Sequence, residues 1–413
     1  MKTKAVRLYG EGDLRLEEFD LPEIKDGEIL IKIISDSVCM STYKTAMQGA
    51  KHLRVPNDVS ENPIIIGHEF CAEVVAVGKR WKDDYSVGDK VIMPPVLSYL
   101  GGNLTVGYSF REIGGVSTYS IVYEHIIENG FLIKLESDAY FKGSLIEPAS
   151  CVLRGYKANY HLYGDEPKMN IKEGGKTIIL AGCGPMGLVA IDCALHGDVK
   201  PSVVVVTDID TDRLKRASEI YSKEKAKEDG IELVFTTATK KDELMEISGG
   251  TGYDDVFVYA PSPSVVTLGD SILAFDGCLN FFAGPLDKSF SAPINFYNVH
   301  YAQHHYAGTS GSTPDDMRDI VRLIGEGRID PAVMVTHIGG IDAAIDTTLN
   351  LPHIKGGKKL IYTHINLPLT AISDFAELGK TDARFLELAR LVDEHNGLWC
   401  AEAERYLLGS FNG

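Results

Sequence analysis

Paired cysteines are missing from this 413-residue chain: the seven it has, at 39, 71, 151, 183, 193, 278 and 400, stand singly with no CxxC spacing. That excludes a small disulfide scaffold and leads us to expect a reducing, cytoplasmic setting. Long apolar runs are absent too. The run around 178–181 is broken by glycine within a few residues, far short of the roughly 20 residues a bilayer span needs. The first ten residues, MKTKAVRLYG, have no apolar core of the kind an export signal carries, so neither membrane nor secretion is expected. Positive charge is scarce, with 41 Lys and Arg against 58 Asp and Glu for a net −17. A nucleic-acid surface is therefore excluded, and any anionic ligand must be caught by a local site. There is no internal repeat and no low-complexity tract.

What remains is the composition of a soluble globular protein, too long for a single comfortable core. Residues 1–157 alternate short apolar strands with Gly or Pro punctuation: AVRLY (5–9), EILIKII (28–34), EVVAVG (73–78), DKVIM (89–93). This texture predicts an antiparallel, barrel-like β-domain. Over 158–309 the pattern becomes strand, Gly-rich turn, helix, strand, through TIIL (177–180), VVVVTD (203–208), ELVFT (232–236), DDVFVY (254–259) and CLNFFAG (278–284). Such alternation predicts an α/β Rossmann domain with a doubly wound parallel sheet. Residues 310–413 are read as a return to the first domain with a C-terminal helical extension, including helices over 313–326 and 382–395.

Gly182, Gly184 and Gly187 spell GxGxxG directly after TIIL, with Cys183, Pro185 and Met186 filling the loop. The glycines permit a tight turn, close approach of backbone to a pyrophosphate, and close packing of helix on strand. Alone the triplet is equally a structural turn. Asp208, ending the next strand about 20 residues on, supplies the carboxylate that accepts from an adenosine ribose and repels a 2′-phosphate. NAD(H) is therefore preferred. Arg213 either stacks near the adenine or forms a surface ion pair, which keeps NADP(H) possible.

The stretch NPIIIGHEFCAEVV (62–75) places His68 and Glu69 between two apolar runs. With Cys39 in SDSVCMSTYK and Glu147 in LIEPASCV, they offer a thiolate, an imidazole and carboxylates, the donor types of catalytic zinc. The ordered set C-x-S, GHE, EP, GxGxxG and Asp resembles the zinc-dependent medium-chain dehydrogenase/reductase family, in its polyol and sugar-phosphate branch, from residue 1 to the GGKKLIY strand ending at 362. The resemblance implies a GroES-like β-barrel catalytic domain before the Rossmann domain. It also implies one catalytic zinc on Cys39, His68 and Glu69 or Glu147, and Ser41 as the hydroxyl that relays the substrate proton. Ala260, Ala283 and Gly284, at later strand ends, are expected beside the nicotinamide. A homodimer or homotetramer is the usual assembly in such a family.

The chain also departs from the family pattern. Met40 and Ala72 stand where glycine is common, and Lys44 where a relay histidine is frequent. No cysteine lies between Cys71 and Cys151, so a four-cysteine structural zinc is not expected, and 94–115 form some other loop. Lys44, Lys51, His52 and Arg54 cluster within eleven residues of an acidic chain. They either bind a substrate phosphate or form a solvated positive face. The implied activity is interconversion of a ketose, a phosphate such as L-sorbose 1-phosphate above all, with its hexitol. The alternatives are an unphosphorylated polyol or amino-alcohol dehydrogenase, and a dinucleotide-binding regulator without catalysis.

Overall fold

A computed structural model describes residues 1–101 and 104–411; the loop expected over 94–115 therefore includes two residues outside the description. The chain divides into two units, one of residues 1–148, 311–321 and 335–413, the other of 149–310 and 322–334. The first division falls inside the helix Tyr140–Ala158, between Pro148 and Ala149, whereas the expected boundary, 157/158, lies at the end of that helix. Residues 322–334, expected with the first domain, go with the second unit, where polar contacts fasten them. Asp330 N–H donates to Asp192 Oδ2 (2.9 Å), Arg328 Nε to the His196 carbonyl (2.8 Å), and Arg216 to the Val333 carbonyl (3.0 Å).

In the first unit the strand Ile29–Ser37 organises the main sheet. It pairs antiparallel with Phe70–Val77, with Tyr119–Val122 and, through Ser35–Ser37, with the late strand Lys358–Tyr362. The sheet is not wholly antiparallel, since Lys358–Tyr362 runs parallel to Val335–Gly340. Every residue of Ile29–Ser37 except Lys32 is buried, because both faces are covered. Ile29, Ile31 and Ile33 join Phe70, Val74 and Val91 on one side, and Leu30 meets Leu21 and Ile121 on the other. Each such side chain stabilises the fold by about 1.5–3 kcal/mol. The strand then turns polar at Ser35, Asp36 and Ser37 while remaining buried, which demands partners.

Residues 364–411 pack on this same unit. The helices Ala383–Asp393 and Ala401–Ser410 bring Glu404 to the start of Tyr140–Ala158, where its carboxylate accepts from the N–H groups of Tyr140 (2.6 Å) and Phe141 (2.7 Å). Tyr362 Oη donates to Glu404 (2.8 Å) and accepts from Trp399 Nε1 (2.8 Å). Burial pushes the Glu404 carboxyl up to about 7 although these donors pull it down.

The second unit contains a six-stranded parallel sheet in the order Glu232–Thr236, Val203–Thr207, Lys176–Leu180, Tyr253–Val258, Leu273–Phe281, His305–Ala307. The order reverses beside Lys176–Leu180, so a crevice opens at its carboxyl end, where dinucleotides bind in such sheets. Among the described residues no helix is long and apolar enough to cross a membrane.

Candidate active site

Gly67 explains how a buried strand can deliver two ionisable side chains. Its φ is +90°, and a Cβ there would lie 2.7 Å from the Val116 nitrogen, so only glycine fits the bend after Ile64–Ile65. Directly after it, His68 and Glu69 are buried, 4% and 1% exposed. One atom each of Cys39, His68 and Glu69 lie within 4.8 Å of one another. Ser41 joins them, its hydroxyl donating to Cys39 Sγ (3.0 Å) and standing 3.2 Å from His68 Nε2. Thr42 Oγ1 lies 3.3 Å from the other ring nitrogen and helps fix the imidazole. Cys39 precedes the helix Met40–Gln48, which carries Ser41, Thr42 and Lys44; Thr45 Oγ1 ties back to the Ser41 carbonyl (2.9 Å).

A residue that no motif announced holds Glu69. Lys358 Nζ donates to both carboxylate oxygens at 2.7 and 2.6 Å, and Ser37 Oγ donates to Oε2 at 2.6 Å. Burial works against a charged lysine, yet Glu69, Cys39 and Glu147 together hold the Lys358 ammonium above the usual lysine range. Glu147 is buried on Tyr140–Ala158 and close enough to act electrostatically on Cys39, Lys358 and Asp36. Pro148 follows it, has no N–H, and so leaves the Ser144 carbonyl without its helical donor. Asp36 is driven well above the carboxylate range by burial and then by Glu69.

This donor set fits a divalent ion. Burial lowers His68 to about 4, so the ring is neutral and can offer a lone pair at pH 7. Burial and then Glu69 push the Cys39 thiol up to about 12, a penalty that an adjacent cation reverses. With the thiol ionised, one thiolate and two carboxylates carry three negative charges, Lys358 returns one positive, and a divalent cation brings the pocket to neutrality. Cys39, His68 and either carboxylate would hold it, leaving room for a further ligand.

The loop after strand Lys90–Ile92 supplies a second residue that sequence patterns missed. Tyr108 is buried, with its ring 5.1 Å from that of His68 and its side chain close to Ser41. Arg54 stands over the same ring at 5.9 Å, half-buried. Lys51, grouped with Arg54 in sequence, forms an exposed ion pair with Glu11 at 2.5 Å.

In the second unit Gly182, Gly184 and Gly187 link strand Lys176–Leu180 to the helix Pro185–His196, with Pro185 at its first position and Met186 next. A Cβ on Gly187 would meet the Gly182 carbonyl at 2.1 Å, which explains the third glycine, whereas one on Gly184 would project into open space. That opening, at a helix N-terminus, is the cradle an anionic pyrophosphate requires. Asp208 stands at the end of Val203–Thr207, where one carboxylate oxygen accepts from Cys183 N (3.1 Å) and the other from Asp210 N (3.0 Å). Arg213 Nε lies 3.6 Å from Asp210 Oδ2, both side chains about half exposed. Ala260 and Ala283 follow the carboxyl ends of Tyr253–Val258 and Leu273–Phe281; Ala283 N–H bonds the Val258 carbonyl at 3.1 Å, and Gly284 comes next.

Fold and donor set together define a zinc-binding dehydrogenase, and comparison with known proteins agrees. Residues 25–129 match the alcohol dehydrogenase GroES-like domain, and 185–326 the zinc-binding dehydrogenase domain. The chain belongs to the zinc-dependent medium-chain dehydrogenase family. It is 47% identical to L-sorbose 1-phosphate reductase of Klebsiella pneumoniae over 98% of this chain and 97% of that one. To mannitol-1-phosphate 5-dehydrogenase of Aliivibrio fischeri it is 45% identical, with the same two coverages. The crystal structure of 2R,3R-butanediol dehydrogenase from Bacillus subtilis shares the fold, with a TM-score of 0.70 and 23% identity over 87% of this chain and 99% of that one. The protein is accordingly an oxidoreductase that uses zinc and a nicotinamide cofactor.

Proposed function

We propose that the protein interconverts a ketose phosphate and the corresponding hexitol phosphate, with NAD(H) as the preferred cofactor and a catalytic zinc on Cys39, His68 and Glu69 or Glu147. The observation that carries the reading is Ser41, whose hydroxyl touches both Cys39 and His68 and so stands at the heart of the donor set. When bound, zinc supplies Lewis acidity toward the substrate oxygen and the nicotinamide exchanges hydride with the substrate carbon. Ser41 is the group placed to hold the substrate's hydroxyl proton. Lys44, one turn further along the same helix, or water, passes it outward. Tyr108 packs against the His68 ring, and Lys358 fixes Glu69. Ala260, Ala283 and Gly284 are assigned to the nicotinamide end, and Gly182 to Gly187 to the pyrophosphate.

Two relatives of nearly full-length similarity are named for sugar phosphates, which supports a phosphorylated substrate. Arg54 and Lys44 are the cations assigned to the phosphate, and Arg54 is the one whose guanidinium lies beside Tyr108. A panel of L-sorbose, mannitol, sorbitol and their phosphates, run with NADH and NADPH and the reverse pair, tests the reading. Arg54→Gln is expected to raise KM for the phosphorylated member by about 10- to 100-fold, the worth of a hydrogen bond to a charged group, and to leave the unphosphorylated sugar unaffected. Lys51→Gln should change neither. Equal turnover of sugar and sugar phosphate would instead favour the plain polyol dehydrogenase.

Asp208 sets cofactor choice in the same reading. Asp208→Ala is expected to weaken NAD by about 10- to 100-fold through the lost ribose hydrogen bonds while sparing NADP and leaving bound zinc unchanged. Fixed-substrate kinetics with both cofactors, beside zinc analysis, check it; unaltered NAD preference would remove Asp208 from the cofactor site. A cytoplasmic homo-oligomer completes the proposal.

A further inference from the structure

The turn between the last two helices brings together three side chains that the dehydrogenase reaction does not use. His395, Cys400 and Glu402 each offer one ligand atom, and these atoms lie within 4.8 Å of one another. They flank a tight bend, with Asn396 at φ +56° and Gly397 at +77°, between Ala383–Asp393 and Ala401–Ser410.

The hydrogen bonding of the imidazole carries the argument. His395 Nδ1 lies 3.0 Å from the Leu391 carbonyl oxygen, which can only accept, so Nδ1 bears the proton. In the neutral ring Nε2 is then a bare lone pair, and it faces Glu402 Oε2 at 3.5 Å. Two acceptors turned toward each other are reconciled by a positive centre between them, a proton or a metal ion. A backbone carbonyl fixing one ring nitrogen so that the other faces a carboxylate is how metal-binding histidines are usually held. Cys400 completes the set: it is buried, stands at the N-cap position of the helix Ala401–Ser410, and its thiol donates to the Leu391 carbonyl at 3.7 Å, a bond given up when a metal ion takes the thiolate. The side chains of His395 and Glu402 are about half exposed, so water can complete the coordination.

We propose that His395, Cys400 and Glu402 form a second metal site, for a borderline-soft divalent ion such as zinc, that staples the C-terminal helix pair. One thiolate, one imidazole and one carboxylate suit zinc or cobalt and disfavour calcium or magnesium. The site shares no residue with the catalytic set and stands whether or not the proposed substrate is right. It also departs from the expectation of a single zinc, which rested on the missing four-cysteine lobe.

The test uses the full chain, loaded with zinc or cobalt and freed of excess ion. Metal analysis should give two equivalents in the unaltered protein, one in Cys39→Ser, one in Cys400→Ser and none in the double variant, with Cys400→Ser keeping its turnover. Cobalt-loaded Cys39→Ser should retain a thiolate-to-metal absorption band that disappears when Cys400→Ser is added. Should Cys400→Ser fold poorly, His395→Ala, altered at a half-exposed position, gives the same readout: in the Cys39→Ser background, zinc raises Tm only while His395 is present. A single equivalent in the unaltered protein, with no thiolate band in cobalt-loaded Cys39→Ser, would overturn the proposal and leave a proton shared by His395 and Glu402.

Discussion

Cys39→Ser and His68→Ala are each expected to lower turnover by about three orders of magnitude or more while binding of NAD(H) persists. Lewis-acid stabilisation of the reacting oxygen is worth several kcal/mol, and each 1.36 kcal/mol is tenfold in rate. The two side chains make the pocket in different ways. His68 is held neutral at pH 7 by burial and contributes a lone pair at no cost in charge. Cys39 contributes the negative charge that balances the ion, and serine, whose hydroxyl does not ionise near neutrality, cannot. Zinc content and kcat should therefore fall together in both variants. Because Gly182, Gly184, Gly187 and Asp208 lie in the second unit, cofactor affinity measured by fluorescence titration should change little. Full turnover by zinc-free Cys39→Ser would end the assignment of these residues.

Lys358→Met is expected to destabilise the first unit by about 3–5 kcal/mol, the cost of leaving a buried carboxylate without its cation. Glu69 is 1% exposed and both of its oxygens are committed to Lys358, with Ser37 the remaining donor, so water cannot take the place of the ammonium. The partner experiment separates this from a simple loss of packing. Adding Glu69→Gln to Lys358→Met removes the orphaned charge and should restore most of the lost stability, whereas two independent sites would lose more. Chemical unfolding of the four proteins, followed by a probe within the first unit, gives the coupling energy. A coupling near zero would show that Glu69 finds its compensation elsewhere.

How much of this was legible beforehand depends on how far apart the partners lie. The Rossmann strands and the GxGxxG–Asp208 pairing are local patterns, carried by apolar runs and glycine spacing, and the observed sheet order follows from them. Cys39 and His68 were recognisable because each sits in a short motif. Lys358 was not: it lies in a plain strand, GGKKLIY, where a lysine ordinarily points to solvent, and only the pairing of that strand with Ser35–Ser37 buries it beside Glu69. Tyr108 escaped for a similar reason, since nothing in the 94–115 loop signals that its ring will meet His68. The basic cluster shows the same dependence on long-range partners. Lys51 and Arg54 are close in sequence, but one is drawn to Glu11 on the surface and the other to Tyr108.

The 289 residues that separate Glu69 from Lys358 also set an order of events during synthesis. A ribosome releases Cys39, His68, Glu147 and the whole glycine-loop unit before the strand carrying the lysine emerges. Until then Glu69 lacks the ammonium that both of its oxygens bind, and Ser35–Ser37 is paired on one side only, with Phe70 and Cys71. A chain cut short before Lys358 therefore holds the buried carboxylate without the cation that balances it.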